Sequence, residues 1–424
     1  SCIEENQMNA LHSMIGEMLP ANCFYARKFS DIKLECVLSL DDFFACVPFT
    51  IKQELVDGQH VQPPYGINLT YPLDHYTRLS QTSGTTGAPL RWLDTPESWS
   101  WMVDNWVEVL QISGVTPEDR ALFAFSFGPF LGFWTAYEAG LRFGCQCIPG
   151  GGMSSVARLR AILDNRVTVL FCTPTYAMRL GEVAHGENID LARACVKHII
   201  TAGEPGACIP ATRARLESVW HGARVSDQHG MTEVGPVTFE CPEQPGTLHV
   251  IEHGFIPEVI DPKTGRHVGV GEQGELVLTN LGRVGSPLIR YRTGDLVERA
   301  ATELCVCGRC DIALVGGILG RTDDMVIVRG VNVYPAAVED IVRQFNDVVE
   351  YRVEVIDNST MSELNIFIEP TAQCADTAGL AQSIELAFRT ALSLRVPITI
   401  VEPGGLPRFE LKAKRWVRVG DASG

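Results

Sequence analysis

The chain has 424 residues, of which 46% are hydrophobic and 20% charged, so it can bury a sizeable core and is not a disordered protein. Its formal net charge of −16 argues against non-specific binding of nucleic acid, because neutralising phosphates requires a basic face. No run of about 18 apolar residues predicts a membrane span, and residues 1–20 lack the basic start and apolar stretch of a signal peptide. We expect a cytoplasmic protein without a nucleic-acid or membrane partner.

The predicted elements change character along the chain. Residues 1–45 have helical spacing of apolar residues. From about residue 95 to 280, helical stretches alternate with short apolar runs such as ALFAFSF, which predicts an α/β fold with mixed sheets, and residues 247–300 are predicted to form a small β-rich part. After a glycine-rich segment, the remaining residues predict a separate α+β unit, in which MVIVRGVNVYP is predicted to be the first strand. We therefore predict an N-terminal domain of several subdomains, residues 1–322, and a C-terminal domain, residues 323–424.

The first sharp motif is TSGTTG, which follows the predicted strand YTRLSQ. Its glycines allow backbone N–H groups to approach a triphosphate, and its hydroxyls donate hydrogen bonds without adding charge. The motif lacks the lysine of a Walker loop, which disfavours a phosphoryl-transfer enzyme of that type. A surface turn rich in serine and threonine is the simpler alternative. The candidate phosphate-binding residues are Thr82, Ser83, Gly84, Thr85, Thr86 and Gly87.

Further motifs follow in a fixed order, and together they are much more specific than any one alone. They are HGMTE at 229–233, YRTGD at 291–295, GRTDD at 320–324, Arg329-Gly330, and LPR at 406–408 followed by Lys412. With TSGTTG, this series resembles the adenylate-forming acyl-CoA synthetase superfamily. The segments GRTDDMVIVRGVNVYP, CTPTYAMRL, AGEP and TEVGP are similar to its phenylacetate–CoA ligase branch. The resemblance implies a large N-terminal domain and a mobile C-terminal domain.

The resemblance also implies how the nucleotide is held. The TSGTTG loop would hold the pyrophosphate end of ATP, and Glu233 would help bind Mg²⁺, which prefers carboxylate and phosphate oxygens. Thr232 would bond the α-phosphate, and Asp295 would accept from both ribose hydroxyls. The adenine would lie between residues 203–205 and the ring of His229. The residues that the resemblance further implies to bind the nucleotide are Gly203, Glu204, Pro205, Asp227, His229, Gly230, Met231 and Arg321.

Two residues are implied to act between the domains. Lys412 would stabilise the charge that shifts between acyl carboxylate and phosphate oxygens, and Asp323 would be the hinge. Simpler alternatives remain for each motif: a turn for Asp295, a solvated carboxylate for Glu233, a charged loop around Asp323 and a solvated basic tail at 412–415.

The sequence departs from the family pattern at three positions. Ala88 stands where a lysine usually follows the phosphate loop, and Arg91 is a candidate to compensate. His229 replaces a tyrosine beside the adenine, and Leu411 replaces a small residue before Lys412. These departures support, as an alternative, a non-catalytic relative that binds adenylates.

The segment FAFSFGPFLGFW is dense in aromatic residues and glycine, and in the family it lines the acid pocket. Flat apolar walls suit a ring, so an aryl or arylacetic acid is the predicted substrate. Plain core packing is the alternative for each residue. The predicted acyl-site residues are Phe125, Phe127, Gly128, Phe133, Trp134, Ala202, Gly235 and Pro236.

Most of the 14 cysteines are predicted to be reduced and apolar in character, because long chains without an export signal are not disulfide scaffolds. Cys305 and Cys307 have the spacing of a metal knuckle, and Cys241 and His249 lie upstream. Three thiolates and one imidazole form a closed structural Zn²⁺ set, and some members of the branch carry the same pairings. Four unmetallated residues are the alternative, and Cys310 is either a substitute ligand or free.

We therefore predict an enzyme that uses ATP and Mg²⁺ to activate an aromatic acid as acyl-adenylate and then transfers the acyl group to coenzyme A. The acyl group would alternatively be delivered to the phosphopantetheine of a carrier protein. The sequence leaves open a homodimer.

Overall fold

The computed structural model describes residues 2–82, 89–301, 304–322, 324–329, 331–357, 362–409 and 413–419. The positions Ser83 to Ala88, Asp323, Leu411 and Lys412 therefore lie outside the described residues, and the predictions that fall on them stay predictions.

The first 61 residues are helical, but short breaks divide them into several helices. Asn22 caps the second helix by accepting a hydrogen bond from the Tyr25 amide, and Ser39 caps the third by accepting from the Asp42 amide. These helices pack on the main core through residues such as Leu11 and Phe43, which are fully buried. Their bounds are α1 Cys2–Met18, α2 Cys23–Lys28, α3 Leu40–Cys46 and α4 Lys52–Val61.

A two-stranded antiparallel hairpin and a five-stranded parallel sheet follow. The hairpin strands are β1 Arg78–Gln81 and β2 Arg91–Asp94. The parallel sheet has the order β4-β3-β5-β6-β7, with strands β3 Arg120–Phe123, β4 Gln146–Pro149, β5 Val169–Cys172, β6 His198–Ala202 and β7 Arg224–Gln228. The helices around it are α5 Pro96–Ile112, α6 Trp134–Phe143, α7 Ser155–Asp164, α8 Pro174–Gly186 and α9 Pro210–Val219. The predicted alternation of helix and parallel strand is confirmed.

The strands of this sheet are shorter than the apolar runs that predicted them. The run ALFAFSF ends as a strand at Phe123, and the residues after it form a loop. The ring of Phe123 stacks on that of Phe171 in the next strand, with centroids 4.3 Å apart. Both rings are fully buried. The strand therefore ends before Phe125 and Phe127, which lie in the loop that follows it.

The β-rich part consists of small antiparallel sheets. A short hairpin pairs β8 Gly230–Met231 with β9 Gly235–Pro236. A three-stranded sheet contains β10 Thr238–Glu240, β11 Thr247–Val250 and β15 Ala313–Val315. A four-stranded sheet contains β12 Phe255–Ile260, β13 Gln273–Asn280, β14 Tyr291–Glu298 and β16 Gly320–Arg321. The sheets share one hydrophobic core with the N-terminal helices.

The C-terminal unit has its own sheet and its own core. The sheet has the order β18-β17-β20-β19-β22, and one more strand, β21, pairs with β20. The segment MVIVRGVNVYP, predicted as one strand, is an antiparallel hairpin instead, and the basic tail ends as a strand in the sheet. The bounds are β17 Val326–Val328, β18 Val331–Val333, α10 Pro335–Arg343, β19 Val348–Asp357, β20 Ser362–Pro370, α11 Thr377–Leu392, β21 Ile398–Ile400 and β22 Trp416–Val419.

Among the described residues, no helix combines the length and the apolar character that crossing a membrane requires.

Candidate nucleotide, acyl and metal sites

Asp295 and His229 face each other in a buried position beside the ends of the parallel strands. Asp295 lies on β14 and His229 directly follows β7. The Nε2 atom of His229 is 3.2 Å from Oδ2 of Asp295, but the geometry is not that of a hydrogen bond. Both atoms are buried and have no hydrogen-bond partner among the described residues. Buried polar atoms without partners are rare, so this pair indicates a place where a ligand supplies them.

Arg321 is held at the other oxygen of Asp295. Its Nη1 atom is 3.2 Å from Oδ1 of Asp295 and 3.1 Å from the Thr293 carbonyl oxygen. A Cβ atom at position 294 would lie 2.6 Å from Nη2 of Arg321, and Gly294 has a φ of 75°. Glycine in the YRTGD motif therefore lets the guanidinium lie directly under Asp295.

Glu233 is buried beside a lysine that the sequence motifs do not include. Nζ of Lys52, at the start of α4, is 3.2 Å from Oε1 of Glu233. The glutamate side chain is 4% exposed and the lysine side chain 49%. Tyr291 also contacts Glu233, and burial together with this carboxylate raises the pKa of Tyr291 well above its ordinary value. Lys52 places a mobile positive charge next to the predicted Mg²⁺ ligand.

Arg283 and Asp94 form a second pairing that the sequence did not reveal. Both side chains are fully buried, and the guanidinium binds the carboxylate through two hydrogen bonds of 2.6 and 2.7 Å. The remaining Nη1 atom donates to the carbonyl oxygens of Thr232 and Glu233, at 2.7 and 2.9 Å. Because Asp94 ends β2, this pair joins the hairpin that carries the phosphate loop to the loop that carries Glu233.

The predicted adenine residues lie around the ends of β6 and β7. Gly203 follows β6 with a φ of 96°. The two oxygens of Glu204 accept from the backbone amides of Thr175 and Ala413, at 3.0 and 2.8 Å. Asp227 is directed into the core instead, where its carboxylate accepts from the Thr201 hydroxyl and the Cys208 amide. Burial raises the pKa of Asp227, and its bonds give it a structural role.

The short β8–β9 hairpin brings predicted nucleotide residues opposite predicted acyl residues. Gly230 pairs with Pro236 and Met231 with Gly235. A Cβ atom at position 235 would lie 3.0 Å from Sδ of Met102, so the close packing of α5 against the hairpin requires glycine here. Ala202 ends β6 at the same edge of the parallel sheet. Ligands of such sheets bind outside the carboxyl ends of the strands.

The predicted acyl-site aromatics pack on one another. The rings of Phe125 and Phe127 stack with centroids 4.0 Å apart, and Trp134 meets Phe127 edge-on at 4.8 Å. Phe133 meets Phe125 edge-on at 5.5 Å. The Trp134 indole N–H donates to the Gly128 carbonyl oxygen at 3.1 Å, which ties the loop to the start of α6. The four rings therefore form one continuous aromatic wall.

Arg91, the candidate to replace the missing lysine at position 88, is directed elsewhere. Its side chain is exposed and its Nη1 atom lies 3.4 Å from the Pro64 carbonyl oxygen. Its amide donates to Gln59. The charge found near Glu233 is that of Lys52 instead.

The predicted metal ligands come together at the edge of the β-rich part. The ligand atoms of Cys241, His249, Cys305 and Cys307 all lie within 4.8 Å of one another. The Sγ atoms of Cys241 and Cys305 are 3.6 Å apart, and Sγ of Cys307 is 3.5 Å from Nε2 of His249. A zinc tetrahedron with Zn–S bonds of about 2.3 Å has S···S edges of about 3.8 Å. Cys310 is exposed and outside this group.

The contacts around His249 leave its Nε2 atom available to a metal ion. Nδ1 of His249 is 3.1 Å from the Asp311 carbonyl oxygen, so that nitrogen is the donor and the lone pair of Nε2 is left for a ligand bond. The imidazole of His249 stacks on the Phe239 ring, and the guanidinium of Arg309 also lies over the Phe239 ring. No two of the described cysteines are joined by a disulfide.

Comparison with known proteins follows the same division of the chain. Residues 72–282 match the family model for AMP-binding enzymes, and residues 330–419 match that for the AMP-binding enzyme C-terminal domain. Phenylacetate–coenzyme A ligase of Pseudomonas putida is 30% identical over 97% of this chain and 93% of its own length. The same enzyme of Thermus thermophilus is 29% identical over 96% and 94%.

The fold is similar to that of a solved acyl-CoA ligase. The crystal structure of 2-hydroxyisobutyryl-CoA ligase in the postadenylation state, in complex with R3-HIB-AMP, has a TM-score of 0.92 and 27% identity. The match covers 97% of this chain and 89% of the chain of the solved ligase. The same ligase in the thioesterification state, with 2-HIB-AMP and CoA, has a TM-score of only 0.73. The described chain therefore has the domain arrangement of the first state.

Proposed function

The chain belongs to the AMP-binding enzymes, within the phenylacetate–coenzyme A ligase family, and from this premise we propose that it activates an aromatic carboxylic acid with ATP and transfers the acyl group to coenzyme A. The observation that carries the proposal is the buried Asp295–His229 pair with unpartnered atoms. Two ribose hydroxyls would supply a donor to Oδ2 of Asp295, and the imidazole would lie against the base.

The reaction proceeds in two steps. A carboxylate oxygen of the acid attacks the α-phosphorus of ATP, and the bond to the β-phosphate oxygen breaks to release pyrophosphate. The thiol sulfur of coenzyme A then attacks the carbonyl carbon of the acyl-adenylate, and AMP leaves as the thiol proton passes to solvent.

Glu233 and Thr232 would act in the first of these steps. Glu233 is a buried carboxylate, which is the kind of oxygen ligand that Mg²⁺ takes, and the bound ion would neutralise charge on the phosphates. Lys52 contacts Oε1 of Glu233 and would add positive charge beside the phosphates. Arg283 holds the backbone of Thr232 and Glu233 at a fixed distance from the hairpin of the phosphate loop.

The domain arrangement supports a division near residue 322. β16, which ends at Arg321, belongs to the large domain through its pairing with β14. β17, which begins at Val326, belongs to the C-terminal sheet. Only four residues separate the two strands, so rotation of the C-terminal domain would be taken up around Asp323. Lys412 would reach the acyl carboxylate in the first arrangement and be withdrawn in the second.

The aromatic wall supports an aryl or arylacetic acid. The four rings pack together, and the two that are partly exposed, Phe127 and Trp134, present apolar surface that a planar substrate ring would extend. The β8–β9 hairpin places Gly235 and Pro236 beside the nucleotide residues, where a carboxylate must meet the α-phosphate.

The proposal is tested by pyrophosphate–ATP exchange over a panel of acids. We expect exchange with benzoic and phenylacetic acids to exceed that with aliphatic acids of equal carbon number by at least tenfold. Consumption of coenzyme A should follow with the same preference. Equal rates with aliphatic acids would contradict the aromatic assignment, exchange without use of coenzyme A would indicate a carrier-protein acceptor, and no exchange with any acid would indicate a non-catalytic relative.

The cysteine and histidine cluster supports a structural Zn²⁺ ion. Its three thiols and one imidazole are the donor set that zinc prefers, and four protein ligands leave no open position for catalysis. The ion would tie the segment 305–310 to β11, which belongs to a different sheet from the strand β16 of the GRTDD motif.

Purified protein is expected to contain about one zinc ion per chain by metal analysis. The double variant Cys241→Ser/Cys307→Ser should lose it and melt at a lower temperature, because the chelate that joins distant segments is gone. Cys310→Ser is the matched control, since this thiol is exposed and outside the cluster, and it should keep the zinc. Zinc retained by the double variant would refute the ligand set.

A further inference from the structure

The chain on either side of Lys412 is held against helix α8 of the large domain. Before it, Nε of Arg408 lies 3.5 Å from Oε2 of Glu182. After it, both terminal nitrogens of Arg415 lie 3.4 Å from Oγ1 of Thr175. Between these points, the amide of Ala413 donates to Oε2 of Glu204 at 2.8 Å.

Arg415 is not part of a solvated tail. Its side chain is 9% exposed, and its Nε atom is 2.7 Å from Oε1 of Glu350 in its own domain. It also lies 3.5 Å from Glu339. Although burial opposes ionisation, the guanidiniums of Arg415 and Arg343 hold the pKa of Glu339 at about 2. The segment that contains Lys412 therefore ends at a rigid anchor within the C-terminal domain.

Glu204 is the one described residue of the large domain that bonds the backbone directly next to Lys412. Its second oxygen accepts from the Thr175 amide at 3.0 Å, in the first turn of α8. That amide has no partner within the helix, because the first N–H groups of a helix have none, and the Thr173 hydroxyl caps Tyr176 instead. One carboxylate thus bridges a fixed helix N-terminus and the residue after Lys412.

The bridge belongs to one domain arrangement. The described chain matches the postadenylation state of the solved ligase with a TM-score of 0.92 and its thioesterification state with 0.73. Movement of the C-terminal domain away from α8 would break the bond between Glu204 and Ala413 but leave that between Glu204 and Thr175.

We propose that Glu204 is a positioning residue for acyl-adenylate formation, which fixes the backbone at Ala413 and so sets the position of Lys412. This role differs from the contact with adenine that the sequence implied for Glu204, and it rests on the proposed function of Lys412. A carboxylate is required because it offers an acceptor to each amide, whereas a glutamine offers one acceptor and turns an N–H₂ group towards the other amide.

The variant Glu204→Gln tests this role in the full-length enzyme. We expect kcat for acyl-adenylate formation, measured as pyrophosphate release, to fall by roughly 10- to 100-fold, because one charge-assisted hydrogen bond is lost. The KM for ATP should change by less than about threefold. Thioester formation from supplied acyl-adenylate and coenzyme A should keep its rate, because that step uses the other domain arrangement.

Asp340→Asn is the matched control. Oδ1 of Asp340 accepts from the amide of Ala211 at 3.3 Å, which is also a carboxylate-to-amide contact between the domains, but it lies far along the chain from Lys412. We expect this variant to keep both partial rates. An equal loss of adenylation in the two variants would show that Glu204 merely stabilises the interface.

Other outcomes would overturn the proposal. A rise in the KM for ATP with unchanged kcat would show that Glu204 serves adenine binding, and an equal loss of both partial reactions would show a general structural role. A double variant with Lys412→Ala separates the proposal from the proposed function. If Glu204 acts through Lys412, Glu204→Gln should cause no further loss in the Lys412→Ala background. If Lys412→Ala alone leaves adenylation intact, the function proposed for Lys412 fails instead.

Discussion

Replacement of Lys412 by alanine is expected to lower the rate of acyl-adenylate formation by about 10²- to 10³-fold, a typical cost of removing one group that stabilises transition-state charge. The negative charge of the acyl carboxylate and the α-phosphate must pass between oxygens in this step, and an ammonium group acts there as a point charge. Thioester formation from supplied acyl-adenylate should remain within about threefold of the wild-type rate, because the proposed rotation of the C-terminal domain would withdraw Lys412 in that step. Pyrophosphate release and acyl-CoA formation measure the two steps separately.

Lys414→Ala is the control for this prediction. Lys414 is exposed, lies two residues further along the same segment and would share any effect of general basic charge. We expect it to keep both partial rates. A similar loss in the two variants would mean that the segment contributes only a basic surface, which is the simpler interpretation of the tail.

Replacement of Arg283 by methionine is expected to lower the free energy of unfolding by roughly 3–5 kcal/mol, because it leaves the Asp94 carboxylate buried without a partner. The carbonyl oxygens of Thr232 and Glu233 lose their donor in the same variant. Denaturant unfolding measures the first effect. Adenylate formation, assayed at a temperature where the variant is folded, should show a higher KM for MgATP as well as a lower kcat.

A double variant separates stability from function. Arg283→Met/Asp94→Asn removes the unpaired charge, so it should recover at least about 2 kcal/mol of the lost stability. Adenylate formation should stay impaired, because the loop of Thr232 and Glu233 still has no donor to hold it. Full recovery of activity together with stability would show that the pair supports only the fold.

Arg290→Met/Glu258→Gln is the matched control for this pair. Arg290 also binds a buried carboxylate through two hydrogen bonds, at 2.9 and 2.6 Å, and it donates to the carbonyl oxygens of Phe44 and Val47. Arg290 therefore makes the same kinds of contact, although Glu258 also bonds His267, and it holds the C-terminal end of α3 rather than the Thr232–Glu233 loop. We expect a comparable loss of stability without the rise in the KM for MgATP.

Predictions of helices and strands were confirmed in some segments and wrong in others. The alternation of helices and apolar runs correctly indicated the parallel sheet, because buried strands of such sheets are short continuous apolar runs. The single strand predicted for MVIVRGVNVYP was wrong, because Val326–Val328 and Val331–Val333 pair with each other as two antiparallel strands. A solvated basic tail at 412–415 is the simpler alternative for Lys412, but the structure buries Arg415 among Glu339, Glu350 and Tyr351. A run of basic residues does not show which of them is paired.

The sequence predicted one part of the metal cluster, and the fold decided the rest. The knuckle spacing of Cys305 and Cys307 was visible locally, and the structure brings Cys241 and His249 to them by pairing β11 with β10 and β15. The position of Cys310 was open until the fold placed it on the surface. Spacing thus identified the candidates, and strand pairing selected among them.

The sequence by itself determined the family, the order of the ligand-binding motifs and the α/β class, because residues that contact one ligand group are often neighbours in a loop and residues that build one strand always are. Only the tertiary structure decided that Lys52 faces Glu233, that Arg283 pairs with Asp94 across 189 positions, and that Glu204 bonds the residue after Lys412. The physical reason is that an ion pair between distant segments leaves no periodicity in either segment. Its partners can be recognised only when burial has removed water as the alternative partner for each charge.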